Sequence, residues 1–518
     1  MRFLQLREKW IQYIYFVVLS FVVCMPAFIH EGELLGAEGA EVFGHAWTHW
    51  WRAEELPNWP TGTDLAVNTA KWPVIDPLPI LISSVMGFLG GPAFGYNFWI
   101  CCSVFFAAWG GWVLAEKVGG TPWVGSLVLA WTPPFIGSLR SGLTEDGAIG
   151  LVALGLAFLH ERWWLAGLCI GISAWCGLVI GWFGGIAAIV VGIFIIKQDP
   201  AGWKKILGAG GIAFFLALGA GWFHLTRLSQ QGKRFGQVQM EYEPNWVLNP
   251  VHHCDLASLF YPGQVDLEGL LIRTHPGYIG LSIIVLAIFA VRWRWLVVSL
   301  VMILLALGET IWFMGSSTGI ANPVATLFTF LPGGDSINHS ARALLVASVA
   351  ISALASLGCR RICERFSISK WLLLVIVGLD LLLLSPISIT LPVTTPSAKI
   401  LHDLQDLSPG SALVLPAGGP GISFQQPLWE QRLHGRSLLL DPNQPGIPKE
   451  YTKGEWMKWL NGLAYHQDNF VGQVSFAPQI AILIVKKEYS DRLVDVLGLP
   501  DKNDEVYFIW DILHRSKK

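Results

Sequence analysis

Pro77-Leu-Pro79-Ile-Leu-Ile-Ser-Ser-Val-Met-Gly87-Phe-Leu89 is apolar, opens on two prolines and runs out at Gly90-Gly91. A helix can begin on Pro77 and Pro79, because prolines in a first turn forfeit few backbone hydrogen bonds. The stretch is shorter than the roughly 20 apolar residues that a membrane span needs. Whether it crosses a bilayer decides the side on which every later loop lies. Charge arbitrates. If 78–89 does not cross, Arg2, Arg7 and Lys9, then Lys117, Arg162, Lys197, Lys204 and Lys205, Arg292 and Arg294, and Arg360, Arg361 and Arg365 all fall on one side. That is the positive-inside pattern, and a crossing would break it. The segment therefore reads as an interfacial helix on the outer face.

The rest of the chain agrees with a membrane setting. Of its 518 residues 53% are hydrophobic and 14% are charged, with a mean hydropathy of +0.50. A soluble domain would carry about 25% charge. The 26 Trp suit membrane interfaces. A net charge of -2 leaves no nucleic-acid footprint. The 8 Cys lack a CxxC pattern, and Cys101, Cys102, Cys169 and Cys176 lie in apolar runs, so no disulfide framework is expected. Ile11–Ile29 is long for a signal peptide and has no clear cleavage site, so it reads as an uncleaved anchor.

Spans are expected near 10–30, 97–116, 121–139, 146–160, 163–178, 179–197, 206–225, 277–291, 293–310, 342–359 and 370–386, about eleven in all. The fold class is thus mainly α, a polytopic transmembrane domain over 1–387. The outer side then receives loop 31–96, the turn Ser141–Asp146, loop 226–276, loop 311–341 and the segment after 387. Residues 388–518 are more polar and Pro-punctuated, with β-like runs at 411–416, 437–440, 479–485 and 505–510 and a helical piece at 489–497. They read as a small α/β domain on the outer side.

Polar chemistry gathers on that side. Helical spacing places Glu38, Glu41, His45 and His49 on one face just after the first span. Two histidines four apart with nearby acids are a candidate divalent-metal set, with zinc suited to the imidazoles and Mg or Mn to the carboxylates. Glu145 and Asp146 begin a span on the outer side; the helix dipole explains one acid and leaves the other as a candidate site carboxylate. Arg227, Arg273, His275 and Arg342 sit near outer span ends, where Arg can snorkel to headgroups or grip a phosphate. His252-His253-Cys254-Asp255 is rich in ligand types, but its setting between Asn249-Pro250 and Phe260-Tyr261-Pro262 favours a turn packed at the membrane surface.

The order of these features resembles the GT-C class of membrane glycosyltransferases, and more closely a family of large bacterial membrane proteins related to that class. An acid-x-Phe-x-polar-x-Trp-x-x-x-Trp pattern is met by Glu41, Phe43, His45, Trp47 and Trp51. Pro60-Thr-Gly-Thr-Asp64-Leu-Ala-Val-Asn68-Thr and Gly91-Pro-Ala-Phe-Gly-Tyr-Asn97 follow, then Ser141-Gly-Leu-Thr-Glu145, Thr274-His-Pro-Gly-Tyr278-Ile-Gly280 and Ile337-Asn-His-Ser340-Ala-Arg342. Glu41 and His45 depart from the Asp and small polar residue that the pattern leads one to expect. The resemblance implies sugar transfer from a polyprenyl-phosphate donor at the outer face of a bacterial inner membrane, with the amino terminus inside and the carboxyl terminus outside. It implies Glu41 as the base for the acceptor hydroxyl, Glu145 and Asp146 as further site carboxylates, and Arg273, Arg342, Arg227, His275 and His45 as groups for the leaving phosphate. The expected partners are the lipid-linked sugar and membrane lipid. Two other readings stay open: a non-catalytic assembly protein of GT-C ancestry, and a lipid or polysaccharide transporter. Against the transporter stand the lack of an inverted repeat and the scarcity of charge inside the spans, Asp380 being the main exception.

Overall fold

The computed structural model describes residues 2–30, 32–37, 41–55, 76–230, 254–262, 266, 267, 270, 271, 277–329, 331, 340–394, 399–415, 426–438 and 480–515. Arg2–Cys24 forms α1, and Leu34–Leu35 forms strand β1. Val42–Glu55 (α2) and Pro77–Gly90 (α3) follow in the first long loop. Next come Pro92–Val118 (α4), Pro122–Trp131 (α5), Pro133–Arg140 (α6), Ile149–Phe158 (α7), Trp163–Cys176 (α8), Leu178–Gln198 (α9) and Trp203–Gln230 (α10). Leu281–Ile288 (α11), Trp293–Ala306 (α12), Ala343–Phe366 (α13) and Lys370–Leu383 (α14) complete the apolar body.

Each expected span overlaps helix, though 277–291 does so only over Leu281–Ile288. The segment 121–139 is divided into α5 and α6 at Thr132, where Pro133 and Pro134 cannot continue the hydrogen-bond ladder. Among the described residues, 4 helices are long and apolar enough to cross a membrane: Pro92–Val118, Leu178–Gln198, Pro200–Trp222 and Ser340–Phe366. Lys9–Cys24, Pro77–Gly90, Trp163–Cys176 and Trp293–Ala306 are shorter apolar helices. The chain is an integral membrane protein.

The helix α13 is the central post. Its most apolar window is 100% buried, and its Ala- and Ser-rich surface packs against α5, α11 and α12. Small residues permit such close approach where lipid supplies no hydrophobic drive between helices. At Gly110 of α4, a Cβ would come within 2.4 Å of the Gly150 carbonyl oxygen of α7, so only glycine fits that crossing. Asp380 of α14 is buried and fully engaged. It accepts from the Tyr278 hydroxyl at 2.6 Å, the Ser282 amide at 2.6 Å and the Ser282 hydroxyl at 2.5 Å. The charge within the spans is thus a cap for the first turn of α11.

Thr310–Phe313 (β2) and Ser316–Ala321 (β3) form an antiparallel hairpin after α12. Val393–Thr394 (β4) pairs antiparallel with β1, linking the first loop to the chain after the last apolar helix. Beyond lie Ser411–Leu415 (β5), Gln426–His434 (α15), Ile480–Lys486 (β6), Asp491–Leu497 (α16), Lys502–Asn503 (β7) and Tyr507–Asp511 (β8). They make a 4-stranded sheet in the order β5-β6-β8-β7, with β5 and β6 parallel and the other neighbours antiparallel. The β-like runs at 411–416, 479–485 and 505–510 coincide with β5, β6 and β8. The run at 437–440 contributes the parallel bridge of Leu438 to Ala412.

Candidate functional site

Glu41 is the residue before the first turn of α2, and its carbonyl accepts the His45 amide at 3.1 Å. Its own amide donates to the Ser141 carbonyl at 3.0 Å, and the Ala37 amide donates to Arg140 at 2.7 Å. The turn after α6 is therefore stitched to the start of α2. Gly142 makes the stitch possible. It has φ +84, and a Cβ there would lie 2.5 Å from Val42 Cα. Asn97 of α4 holds the approach to α2: its side chain accepts the Leu35 amide at 2.9 Å and donates to the Glu33 carbonyl at 2.8 Å. Trp99 donates its indole N–H to the Thr144 carbonyl at 3.0 Å, fixing the short 3-10 turn Thr144–Ala148.

Side chains from α2, the start of α3, the Thr144–Asp146 turn and the residue before α13 meet in one place. His45 Nε2 lies 3.6 Å from Glu41, and His45 Nδ1 lies 3.6 Å from Glu145 and 3.0 Å from the Thr144 hydroxyl. Glu145 accepts a 2.8 Å hydrogen bond from Arg342 Nη2, while Arg342 Nε is 3.7 Å from Asp146. The Thr144 hydroxyl donates to Asp76, which precedes α3. Asp76 also lies 3.3 Å from His49 Nε2, and His49 Nδ1 pairs with the Ser83 hydroxyl at 2.9 Å. Tyr96 adds its ring, 5.8 Å from that of His49. His45, His49, Asp76, Glu145, Asp146 and Arg342 are all buried, whereas the Glu41 side chain is 50% exposed. The site is a buried polar network with one half-exposed carboxylate, Glu41, at its edge.

The charges of the network act on one another. Burial opposes the imidazolium of His45, but the carboxylates of Glu145, Glu41 and Asp76 outweigh it and raise its pKa to about 9. Burial likewise opposes ionisation of Glu145, yet the Arg342 guanidinium and His45 hold its carboxyl below the ordinary range. At neutral pH a cationic His45 and Arg342 thus sit among Glu41, Asp76, Glu145 and Asp146.

The structure selects within the sequence-derived set. His49 pairs with Asp76 and Ser83 and is not among the residues whose ligand atoms converge. The ligand atoms that converge are those of His45, Asp76 and Glu145, all within 4.8 Å of one another, and these are the residues that could hold a divalent cation. Arg342 faces Glu145 and Asp146. Glu38, Arg273, His275, His252 and His253 lie outside the described residues, as does the side chain of Arg227. Asp255 accepts the amides of Ala257, Met314 and Gly315 at 2.7, 3.2 and 2.9 Å, so it anchors the β2–β3 hairpin as a structural turn. Asp76 escaped the sequence reading, and Thr144, Ser83 and Tyr96 stood in its quoted stretches without a role of their own. An acid immediately before the double-proline start of an outer helix was the available sign for Asp76.

No family model matches the chain, and no curated protein does. Solved structures do. The cryo-EM structure of the arabinofuranosyltransferase AftD from mycobacteria is 16% identical with a TM-score of 0.53, over 93% of this chain and 35% of that one. The chain thus spans about a third of the length of that protein. The oligosaccharyltransferase of Archaeoglobus fulgidus in its apo form is 10% identical with a TM-score of 0.47, over 93% of this chain and 70% of that one. ArnT from Cupriavidus metallidurans is 13% identical with a TM-score of 0.44, over 97% and 98%. The likeness to AftD carries the fold, which is that of the GT-C glycosyltransferases.

Proposed function

We propose that the chain is a membrane glycosyltransferase that moves a sugar from a polyprenyl-phosphate donor to an acceptor hydroxyl at the outer face of a bacterial inner membrane. The observation that carries this reading is the half-exposed Glu41 at the mouth of a buried Glu145–Arg342–His45–Asp76 network, on a GT-C fold. The acceptor oxygen attacks the anomeric carbon, and its proton passes to the Glu41 carboxylate. The bond from the anomeric carbon to the phosphate oxygen breaks, and polyprenyl phosphate leaves with the electron pair. His45, 3.6 Å from Glu41 and cationic at neutral pH, orients the base and offsets negative charge on the departing phosphate. Glu145 and Arg342 hold His45 from behind. A divalent cation held by His45, Asp76 and Glu145 would require neutral His45 and would replace its imidazolium, supplying the neutralisation of the leaving group as a Lewis acid.

In this reading the amino terminus is inside and the sheet-bearing carboxyl-terminal segment outside. The helix α3 roofs the donor groove. Its two-faced surface suits that position: Ser83 and Ser84 are buried toward α2, while Phe88 is 92% exposed and Leu89 71%.

The test is transfer from synthetic polyprenyl-phosphate pentoses and hexoses in proteoliposomes or, lacking an acceptor, complementation of the surface-glycan defect of a deletion. Glu41→Gln keeps shape and hydrogen bonding and removes proton acceptance, so transfer should fall by roughly 10²–10⁴-fold with the fold intact. Full function in Glu41→Gln, with none in the deletion, would rule out transfer through Glu41. The assembly-protein reading would then take its place.

A further inference from the structure

The site helix α2 has a back as well as a front. His45 and His49 point into the polar network, and Trp47, two residues from each, lies about 200° around the helix from them. Trp47 is fully buried, and its indole N–H donates to the Gln431 side-chain oxygen at 3.0 Å. The two residues are 384 positions apart. Gln431 belongs to α15, which packs along α2.

The helix α15 is itself held rigidly. The Gln431 amide donates to the Arg436 carbonyl at 2.9 Å. The Arg436 guanidinium then gathers the carbonyls of Ser408 at 2.7 Å and Leu407 at 3.1 Å, just before β5. On the other side of Gln431, the buried Glu430 accepts the Tyr507 hydroxyl of β8 at 2.8 and 2.9 Å. Gln431 is therefore a fixed point of the C-terminal sheet, presented to the back of α2.

The helix it meets cannot hold itself. At 14 residues, with Gly44, Thr48 and several Trp, α2 is near the length and composition at which an isolated helix is marginal in water. Its rotation and axial position are set by what it touches. On the front, His45 meets the Thr144 hydroxyl at 3.0 Å and His49 meets the Ser83 hydroxyl at 2.9 Å. On the back, the buried 3.0 Å bond from Trp47 to Gln431 opposes them, so α2 is gripped from both sides.

We propose that Gln431 is a positioning residue for the transfer reaction: through Trp47 it braces α2 so that Glu41 and His45 stand in reactive register with Glu145. The C-terminal segment thus completes the site without reaching it. The inference rests on the transferase reading for its catalytic consequence and on geometry alone for the brace.

The experiment uses the full chain in lipid nanodiscs, with Gln431→Met, Trp47→Phe and the double variant. Amide exchange over 42–55 is measured together with kcat and KM for a synthetic polyprenyl-phosphate sugar. Loss of one buried hydrogen bond should speed exchange over 42–55 on the order of fivefold. The rate kcat should fall about tenfold with KM nearly unchanged, because a displaced base affects the reacting geometry more than donor binding. The double variant should be no worse than either single one, since both delete the same bond. If Gln431→Met does not fold, Trp47→Phe carries the same test and leaves α15 intact. Unchanged exchange over 42–55 overturns the brace whatever the transfer rates. Faster exchange with unchanged kcat overturns the positioning role. Faster exchange in a protein whose unmutated form transfers no sugar sinks the transferase reading and leaves the brace standing.

Discussion

Glu145 and Arg342 meet at 2.8 Å across 197 residues of sequence, with side chains only 6% and 10% exposed. One ends the turn after α6, and the other opens the central post α13. The pair joins the floor of the site to the most deeply buried of the long apolar helices. Asp146, wholly buried, leans on the same guanidinium at 3.7 Å.

Arg342→Met should therefore be costly, because it leaves two buried carboxylates without their cation. Breaking such a pair from one side costs roughly 3–5 kcal/mol. Glu145→Gln should cost less, since Arg342 keeps Asp146. Thermal unfolding in detergent measures the order. Equal melting temperatures for Arg342→Met and the unmutated protein would show that the guanidinium does not neutralise this floor.

The network also sets a pH dependence. The pKa of His45 is raised in the folded protein to about 9 from an ordinary 6.5. Its folded state holds the proton more tightly than the unfolded chain does. The stability it supplies is fully present below pH 6.5 and is lost as pH rises through about 9. The melting temperature should fall over that interval, and His45→Asn should flatten the alkaline limb. A limb of the same depth in His45→Asn would assign it to another group.

Gly142→Ala should disturb the site from a position that touches none of its side chains. The new Cβ would approach Val42 Cα to 2.5 Å at a residue with φ +84. Turn strain and a displaced α2 should together lower stability by about 1–3 kcal/mol and reduce transfer. Wild-type melting and transfer in this variant would mean that α2 and the Ser141–Glu145 turn are free to separate.

Topology is open to direct labelling. On a cysteine-free background, a cysteine introduced at 480–515 should react with an impermeant reagent in intact cells. A cysteine beside Arg361 should not. The reverse result would place Glu41 and its network on the cytoplasmic face and exclude a periplasmic transfer.

The local chemistry of this chain was legible in its sequence. Runs of apolar residues marked the helices, because a backbone in lipid must satisfy its own hydrogen bonds and shows this as uninterrupted hydrophobic length. Short apolar runs after residue 410, set among polar and Pro-containing segments, marked β5, β6 and β8. The spacing of Glu41, His45 and His49 marked the helix that carries the site. What only the tertiary structure decided was partnership. His49 belongs to Asp76 and Ser83, and His45 turns to Glu145 instead. Asp380 became a cap, and Trp47 found Gln431 near the other end of the chain. Periodicity is a property of neighbours a few residues apart, so it reports which face a side chain occupies. It carries no record of which face from a distant segment will come to meet it, and that is settled by close packing of helices around α13.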